Sequence, residues 1–386
     1  MPLNNKSPHP LKRFVFTFLK VLAFLFHKRG QPDLNKPINN ILIVNLGFIG
    51  DVLMTTPLIR SIRKSFSESK IFVLIPPWSS AVLSFNPNID ELITYNTFWA
   101  DAEHSHKLKI KHIIDTIKLF YKLRKVHFDV IINTWFVDQP LTALLIRFFR
   151  SKFILGFYFP SSGNFYDKFF PFDKNEHIVT NLLSINNWLV NGTDRNYEKK
   201  QDLDFYLPPI EIIKREEIDN LNEMKFVVIS PFSSENSKQW SVGKWIILIN
   251  NLKAKFEDLE IVITGTNKSL EQVMEFEQKC NYTLINLVGK QSIYQFAYLL
   301  SKASLVITVD SGTLHIASAL KIPIFVLCNR QYNFKQLLPI GSNYNFSVID
   351  VPCAECIYGC NNPICMDHSP EEVFKKICEM LELRVN

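Results

Sequence analysis

Three short segments of this chain carry side chains able to hold an anion or move a proton. The first is Asn45-Leu46-Gly47-Phe48-Ile49-Gly50-Asp51, directly after the apolar run 41–45. Gly47 and Gly50 permit a tight turn and a close approach of backbone to a ligand. Asp51 then stands at the carboxyl end of a strand, where it can take a proton from a substrate hydroxyl as general base. The position equally suits the first turn of a helix, where the dipole favours a carboxylate, and this segment alone leaves the two readings level. The second segment follows the run 226–231, where Ser233, Ser234 and Lys238 bring two hydroxyls and an ammonium to a strand exit. That set suits a phosphate; the other reading is a surface loop anchored by Trp240. The third segment is Asp310-Ser311-Gly312-Thr313-Leu314-His315, after the run 305–309. Free backbone N–H groups at a helix start form an anion site suited to a diphosphate, with His315 about one turn in. The other reading is Asp310 or Ser311 as an N-cap before a packed histidine.

Such segments need strands that end at one edge and helices that begin there. From Asn40 onward, apolar runs at 41–45, 71–75, 91–95, 129–133 and 152–156 alternate with helical patterns at about 52–66, 107–125 and 138–150. A polar passage at 194–212 reads as a connection. The pattern restarts with runs at 226–231, 260–264, 284–287, 305–309 and 323–327. Helical stretches at 241–256, 268–279, 292–302 and 312–320 separate them, and a last helix covers 369–384. Continuous apolar strands alternating with helices imply α/β domains with parallel sheets covered on both faces. The expected organisation is an N-terminal segment 1–39, one Rossmann-like domain at 40–205, a second at 206–368 and a C-terminal helix at 369–386. Two doubly wound domains in tandem place a central cleft at the carboxyl ends of both sheets. No G-x-G-x-x-G follows the first strand of either half and G-x-x-x-x-G-K-[ST] is absent, which counts against a dinucleotide oxidoreductase or a P-loop enzyme. Asp202-Leu203-Asp204 has the D-x-D form of some metal-dependent glycosyltransferases, but it lies in the connection and not at a strand end.

The motifs in order are strand–LGFIGD–xxxTTP, the S-S-x-x-x-K-x-W loop, the strand-end Gly265, Leu287-Val288-Gly289-Lys290 and D-S-G-T-x-H-x-A-x-A. From about residue 40 to the C-terminus this series resembles glycosyltransferase family 9, which contains the ADP-heptose:lipopolysaccharide heptosyltransferases. The resemblance implies a GT-B fold with an N-terminal acceptor domain and a C-terminal donor domain. It also implies inversion at the transferred sugar and no metal requirement. Asp51 falls on the family's catalytic base and Lys238 on the lysine that meets the donor diphosphate. Gly47 and Gly50 fall on the acceptor-side loop. Ser233, Ser234, Gly265, Gln291, Asp310, Ser311, Gly312, Thr313 and His315 fall on donor-binding positions, with Gln291 near the nucleobase or ribose. The implied partners are a nucleotide-sugar donor such as ADP-heptose and a lipopolysaccharide or other lipid-linked saccharide acceptor. Two departures bear on specificity. Asn45-Leu46-Gly47-Phe48 replaces the common Arg-x-Ser-Ser, and Thr266-Asn267-Lys268 lacks an acidic residue after Gly265. The competing classes are a non-catalytic sugar-nucleotide-binding partner of an envelope-glycan assembly and a GT-B-like sugar-nucleotide epimerase.

The formal net charge of +6 is local: residues 1–40 hold seven basic side chains and one acid, and the remainder holds 36 of each sign. A neutral body argues against a nucleic-acid binder, whose basic residues line a folded face. Phe14 to Phe26 is apolar except for Thr17 and Lys20, too short to span a bilayer. It reads as an amphipathic helix for an anionic membrane surface, which places the protein in the cytoplasm at the inner membrane; a helix packed on the protein itself and an export signal are the other readings. Cys353, Cys356, Cys360 and Cys365 form a C-x₂-C-x₃-C-x₄-C run. A structural zinc or iron–sulfur cluster, free structural thiols, and a redox or disulfide pair are the readings that spacing leaves open.

Overall fold

Ile41 to Val44 have no solvent-exposed surface, and the other central strands are equally apolar on both faces. Such strands are stable only between two layers of helices. The computed structural model describes residues 36–99, 108–162, 165–193, 201–213, 216–221, 224–330, 334–341, 343–351, 360 and 363–383. The expected amphipathic helix at Phe14 to Phe26, Cys353 and Cys356 lie outside these residues. The chain divides into two units between Gln201 and Asp202.

The first unit runs β1 (Asn40–Val44), α1 (Ile49–Met54), α2 (Thr56–Ser65), β2 (Lys70–Ile75), β3 (Glu91–Thr94) and α3 (Ile110–Leu123). It continues with β4 (Phe128–Asn133), α4 (Pro140–Arg147), β5 (Ser151–Phe157), β6 (Lys168–Phe170) and α5 (Ile178–Asn191). The second runs β7 (Lys225–Ser230), α6 (Val242–Lys255), β8 (Leu259–Ile263), α7 (Leu270–Lys279), β9 (Ile285–Asn286) and α8 (Ile293–Lys302). Then follow β10 (Leu305–Val309), α9 (Gly312–Ala319), β11 (Ile324–Cys328), β12 (Tyr344–Val348) and α10 (Pro370–Glu382). The sheet orders are β3-β2-β1-β4-β5-β6 and β12-β11-β10-β7-β8-β9, and every pairing is parallel. Each unit therefore has the Rossmann strand order. Its switch point, where ligands bind in such sheets, lies between β1 and β4 in the first unit and between β7 and β10 in the second.

Helix boundaries follow local chemistry. The expected continuous helix at 52–66 breaks after Met54, because Pro57 has no N–H to continue the ladder and sits instead in the first turn of α2. Gly192 closes α5 in the left-handed conformation (φ 69°), its N–H bonded to Trp188 O at 2.9 Å. Ser292 and Gln295 cap α8 reciprocally, Ser292 Oγ accepting from Gln295 N and Gln295 Oε1 from Ser292 N.

His368, just before α10, ties the C-terminal helix to the loop after β7. Its carbonyl accepts from Trp240 Nε1 at 3.2 Å and from Lys244 Nζ at 2.9 Å. Its ring, 1% exposed, bonds Ser347 Oγ at 3.0 Å. Burial is the dominant influence and lowers the imidazole pKa to about 4. Below pH 6.5 the unfolded chain binds a proton here that the folded chain refuses. The stabilisation is therefore complete above about pH 6.5 and is lost as the pH falls toward 4. The fall from 6.5 to about 4 corresponds to roughly 3 kcal/mol. Urea unfolding monitored at Trp240 and Trp245 is expected to shift to lower midpoints over that window, and His368→Gln is expected to flatten the shift.

Candidate active site

Asn45 is buried at the end of β1 and fixes the loop that follows. Its amide donates to Asp51 O at 3.0 Å and Thr55 Oγ1 at 2.9 Å, and its Oδ1 accepts from Gly47 N at 3.0 Å. A polar group fully satisfied this deep in a sheet is rigid. Asp51 is the third residue of α1, and its Oδ2 accepts from Phe48 N at 2.9 Å. The carboxylate thus does hold the helix start, and the same bond aims it along the strand exit. Both readings of Asp51 are compatible with one geometry.

The two glycines here are not turn residues. Gly50 lies inside α1, and neither Gly47 nor Gly50 has a positive φ. Gly47 is required for space: a Cβ there would fall 2.3 Å from Asp51 Oδ2 and 2.6 Å from Trp135 Nε1. Those two atoms crowd one point, so they lie no more than 4.9 Å apart, the two distances laid end to end. Trp135 follows β4 and is 7% exposed. The β1 and β4 exits are laced together by Thr134, which gives Val44 O bonds from its N–H at 2.9 Å and its Oγ1 at 3.1 Å. Thr55 Oγ1 and Thr134 Oγ1 are a further 3.3 Å apart. The switch point of the first unit is therefore a rigid floor carrying one carboxylate beside one indole.

In the second unit the loop after β7 brings Lys238 to Asp310, which follows β10; Nζ and Oδ2 are 2.9 Å apart, with Glu235 Oε1 at 3.7 Å. Burial raises the Asp310 carboxyl, but the charges of Lys238 and His315 outweigh it and hold the group below its ordinary value. The lysine is held between carboxylates, and an incoming diphosphate would compete with Asp310 for it. Ser233 organises the loop: its Oγ accepts from Glu235 N at 3.2 Å and its carbonyl from Gln239 Nε2 at 2.8 Å. Ser234 is exposed. Trp240 is 3% exposed and packs edge-on against Trp245 at 5.0 Å, so it anchors the loop.

Ser311 is the N-cap of α9 but forms no side-chain cap; its Oγ instead lies 3.2 Å from Thr308 Oγ1. Thr313 Oγ1 is 2.9 Å from Ser230 Oγ. These hydroxyls knit β7, β10 and α9 together, and the Ser311 side chain leaves the helix start uncapped. His315 is buried on α9 within the field of Asp310. Gly265 makes room for Phe232, whose Cδ2 would lie 2.6 Å from a Cβ there. Gly265 O also accepts from Gly289 N at 2.9 Å. Gly289 has φ 72°, and a Cβ on it would meet Asn267 Oδ1 at 2.2 Å. Gln291, two residues on, keeps a buried Nε2 that has no hydrogen-bond partner among the described residues.

Of the cysteine run, Cys360 and Cys365 are among the described residues. Cys365 is 6% exposed and packs in the core of the second unit, and Cys360 is half-buried. Among the described residues no group of three or more His, Cys, Asp or Glu is arranged to hold a metal ion.

A family model described as glycosyltransferase family 9 (heptosyltransferase) matches residues 116–360. The chain belongs to glycosyltransferase family 9. This transferase is 30% identical over 289 residues to lipopolysaccharide heptosyltransferase 3 of Escherichia coli, covering 72% of the chain and 80% of that relative. Its fold is GT-B. A family 9 glycosyltransferase from Veillonella parvula superposes with a TM-score of 0.72 at 19% identity, over 90% of this chain and 98% of that one. Heptosyltransferase WaaC of E. coli with ADP superposes with a TM-score of 0.67 at 18% identity, over 88% and 99%. Among the described residues of the transferase, no helix is long and apolar enough to cross a membrane.

Two features of the transferase's site escape the local sequence reading. Trp135 belongs to none of the sequence motifs, although it lies at the exit of β4, the strand paired to β1. Glu235, at 3.7 Å from Lys238, is an unspecified position inside the S-S-x-x-x-K motif.

Proposed function

We propose that this transferase moves heptose or a closely related sugar from a nucleoside-diphosphate donor to a hydroxyl of a lipopolysaccharide core or similar envelope saccharide, with inversion. The observation that carries the reading is the placement of chemistry at both switch points: a buttressed carboxylate after β1, and a lysine with an uncapped helix start after β7 and β10. The relatives named for lipopolysaccharide heptosyl transfer and the solved structure with ADP support the sugar, the acceptor class and the base.

Asp51 takes the proton of the acceptor hydroxyl as that oxygen attacks the anomeric carbon. The carbon–oxygen bond to the diphosphate breaks on the opposite face, and the electron pair leaves on the nucleoside diphosphate. Lys238 and the amides of Gly312 and Thr313 receive that charge, a role for which donors fixed in advance are most effective. Gln291, whose buried amide nitrogen has no acceptor among the described residues, meets the base or ribose. The N-terminal segment 1–39, rich in basic and apolar residues, keeps the enzyme at an anionic inner-membrane surface where a lipid-anchored acceptor is found.

The test is thermal-shift screening of the full chain against a panel of nucleotide sugars and free nucleotides. Stabilisation by ADP-heptose above other donors is the expected result, since a ligand at 100 times its Kd adds about 2.7 kcal/mol. No response to any nucleotide would remove the transfer reading, and a response to a UDP-sugar alone would replace the donor.

A further inference from the structure

Helix α3 is apolar on two opposite faces. Its inner face, Leu119 and Leu123, packs into the core of the first unit. Its outer face presents Ile110, Ile113, Ile114, Ile117 and Tyr121, which are 77%, 49%, 45%, 64% and 65% exposed. At 3.6 residues per turn these five fall within an arc of about 100°, directly opposite the buried side. Single exposed apolar residues are ordinary, whereas five adjoining on one stripe mark a surface that is covered in use. A helix apolar all round is one with neighbours on both sides.

The charge beside the stripe identifies the neighbour. Residues 108–125 hold six exposed basic side chains against one acid, Asp115; Lys122 is paired with Glu91 of β3 at 3.2 Å, which leaves five for the surface. Lys111 and Lys118 line one border of the stripe, and Arg124 lies over the Tyr121 ring at 3.7 Å within it. A second copy of the chain would bring the same positive field to the contact. The chain's own N-terminal segment, with seven basic residues and one acid, would do so too. The occupant is therefore anionic and offers apolar depth under its charge. Nucleic acid supplies the first without the second, whereas a bilayer rich in anionic headgroups supplies both.

We infer that the outer face of α3 docks on an anionic lipid bilayer, Ile113, Ile114 and Ile117 entering the headgroup–acyl boundary while the flanking lysines meet the headgroups. This contact stands on the side chains of α3 alone. It depends neither on the N-terminal segment nor on the identity of the reaction.

The test is flotation of the full chain with vesicles of equal parts phosphatidylglycerol and phosphatidylethanolamine, with phosphatidylcholine vesicles as reference. The native chain is expected to bind the anionic vesicles and release in high salt. Ile113→Gln with Ile117→Gln is expected to weaken that binding at least tenfold. Lys111→Glu with Lys118→Glu is expected to do the same, and neither pair should move the unfolding midpoint, because all four side chains are exposed. Native affinity in both variants would assign membrane binding to other parts of the chain and overturn the inference. A native chain that ignores anionic vesicles would overturn it as well. So would variants that keep vesicle affinity and change only the oligomeric state, since the face would then be a contact between copies. Donor-induced stabilisation, read on the same samples, should be equal in all variants, which separates failure here from failure of the transfer reading.

Discussion

Asp51→Asn is expected to lower sugar transfer about 10³-fold or more while leaving donor-induced stabilisation unchanged. A positioned general base contributes about 10²–10⁴ in rate, and the amide cannot accept the proton. The substitution is isosteric, and the Asn carbonyl can still accept from Phe48 N, the 2.9 Å bond that Asp51 makes. What the fold loses is the interaction of a charge with the start of α1, about 0.3–1 kcal/mol. The two roles of this residue are therefore separable. A purely structural carboxylate predicts a slightly less stable enzyme with nearly native turnover; a base predicts a normally folded enzyme with almost none. Single-turnover transfer measured with saturating donor decides between them, and activity within tenfold of native would end the catalytic assignment. Trp135 and Gly47 enter the same argument, because the carboxylate and the indole share the space that a glycine leaves open.

Most of the frame was legible because the central strands are continuous apolar runs. The expected strands at 41–45 and 305–309 correspond to β1 at Asn40–Val44 and β10 at Leu305–Val309. The strands without an expected counterpart are edge strands. β6 has three residues, and β12 (YNFSV) is mostly half-exposed, so neither needs an apolar run. Helix α5 has no counterpart in the sequence pattern, since Asn181, Ser184 and Asn187 are buried within it and blur its periodicity. Within the site, residue types were readable and their reasons were not. Gly47 and Gly265 make room for side chains from elsewhere, Trp135 in one case and Phe232 in the other. The approach of Trp135 to Asp51 arises from the pairing of β1 with β4, whose order no local pattern records.

Lys238→Ala is expected to cost about 10²–10³ in transfer, the usual loss when one donor to a developing anion is removed. That number alone would not prove contact with the diphosphate, because the same lysine holds Asp310 at 2.9 Å. Asp310 is only 16% exposed, and burial is the largest influence on it. Without the lysine its pKa must rise, and a poorly solvated carboxylate is left facing Glu235 and a helix start. Breaking a fully buried pair costs about 3–5 kcal/mol; here both partners keep some solvent, so a loss of roughly 1–3 kcal/mol is expected. Lys238→Ala combined with Asp310→Asn resolves the ambiguity. The double variant removes both charges and should recover most of the lost stability in urea unfolding. If Lys238 served only to neutralise Asp310, the double variant would turn over as fast as Asp310→Asn alone. If the ammonium leaves Asp310 for the donor, the double variant stays at least about 10²-fold slower than that single variant. Arg at 238 should keep the pair with Asp310 and restore stability without restoring the rate, since its planar fork replaces a compact charge.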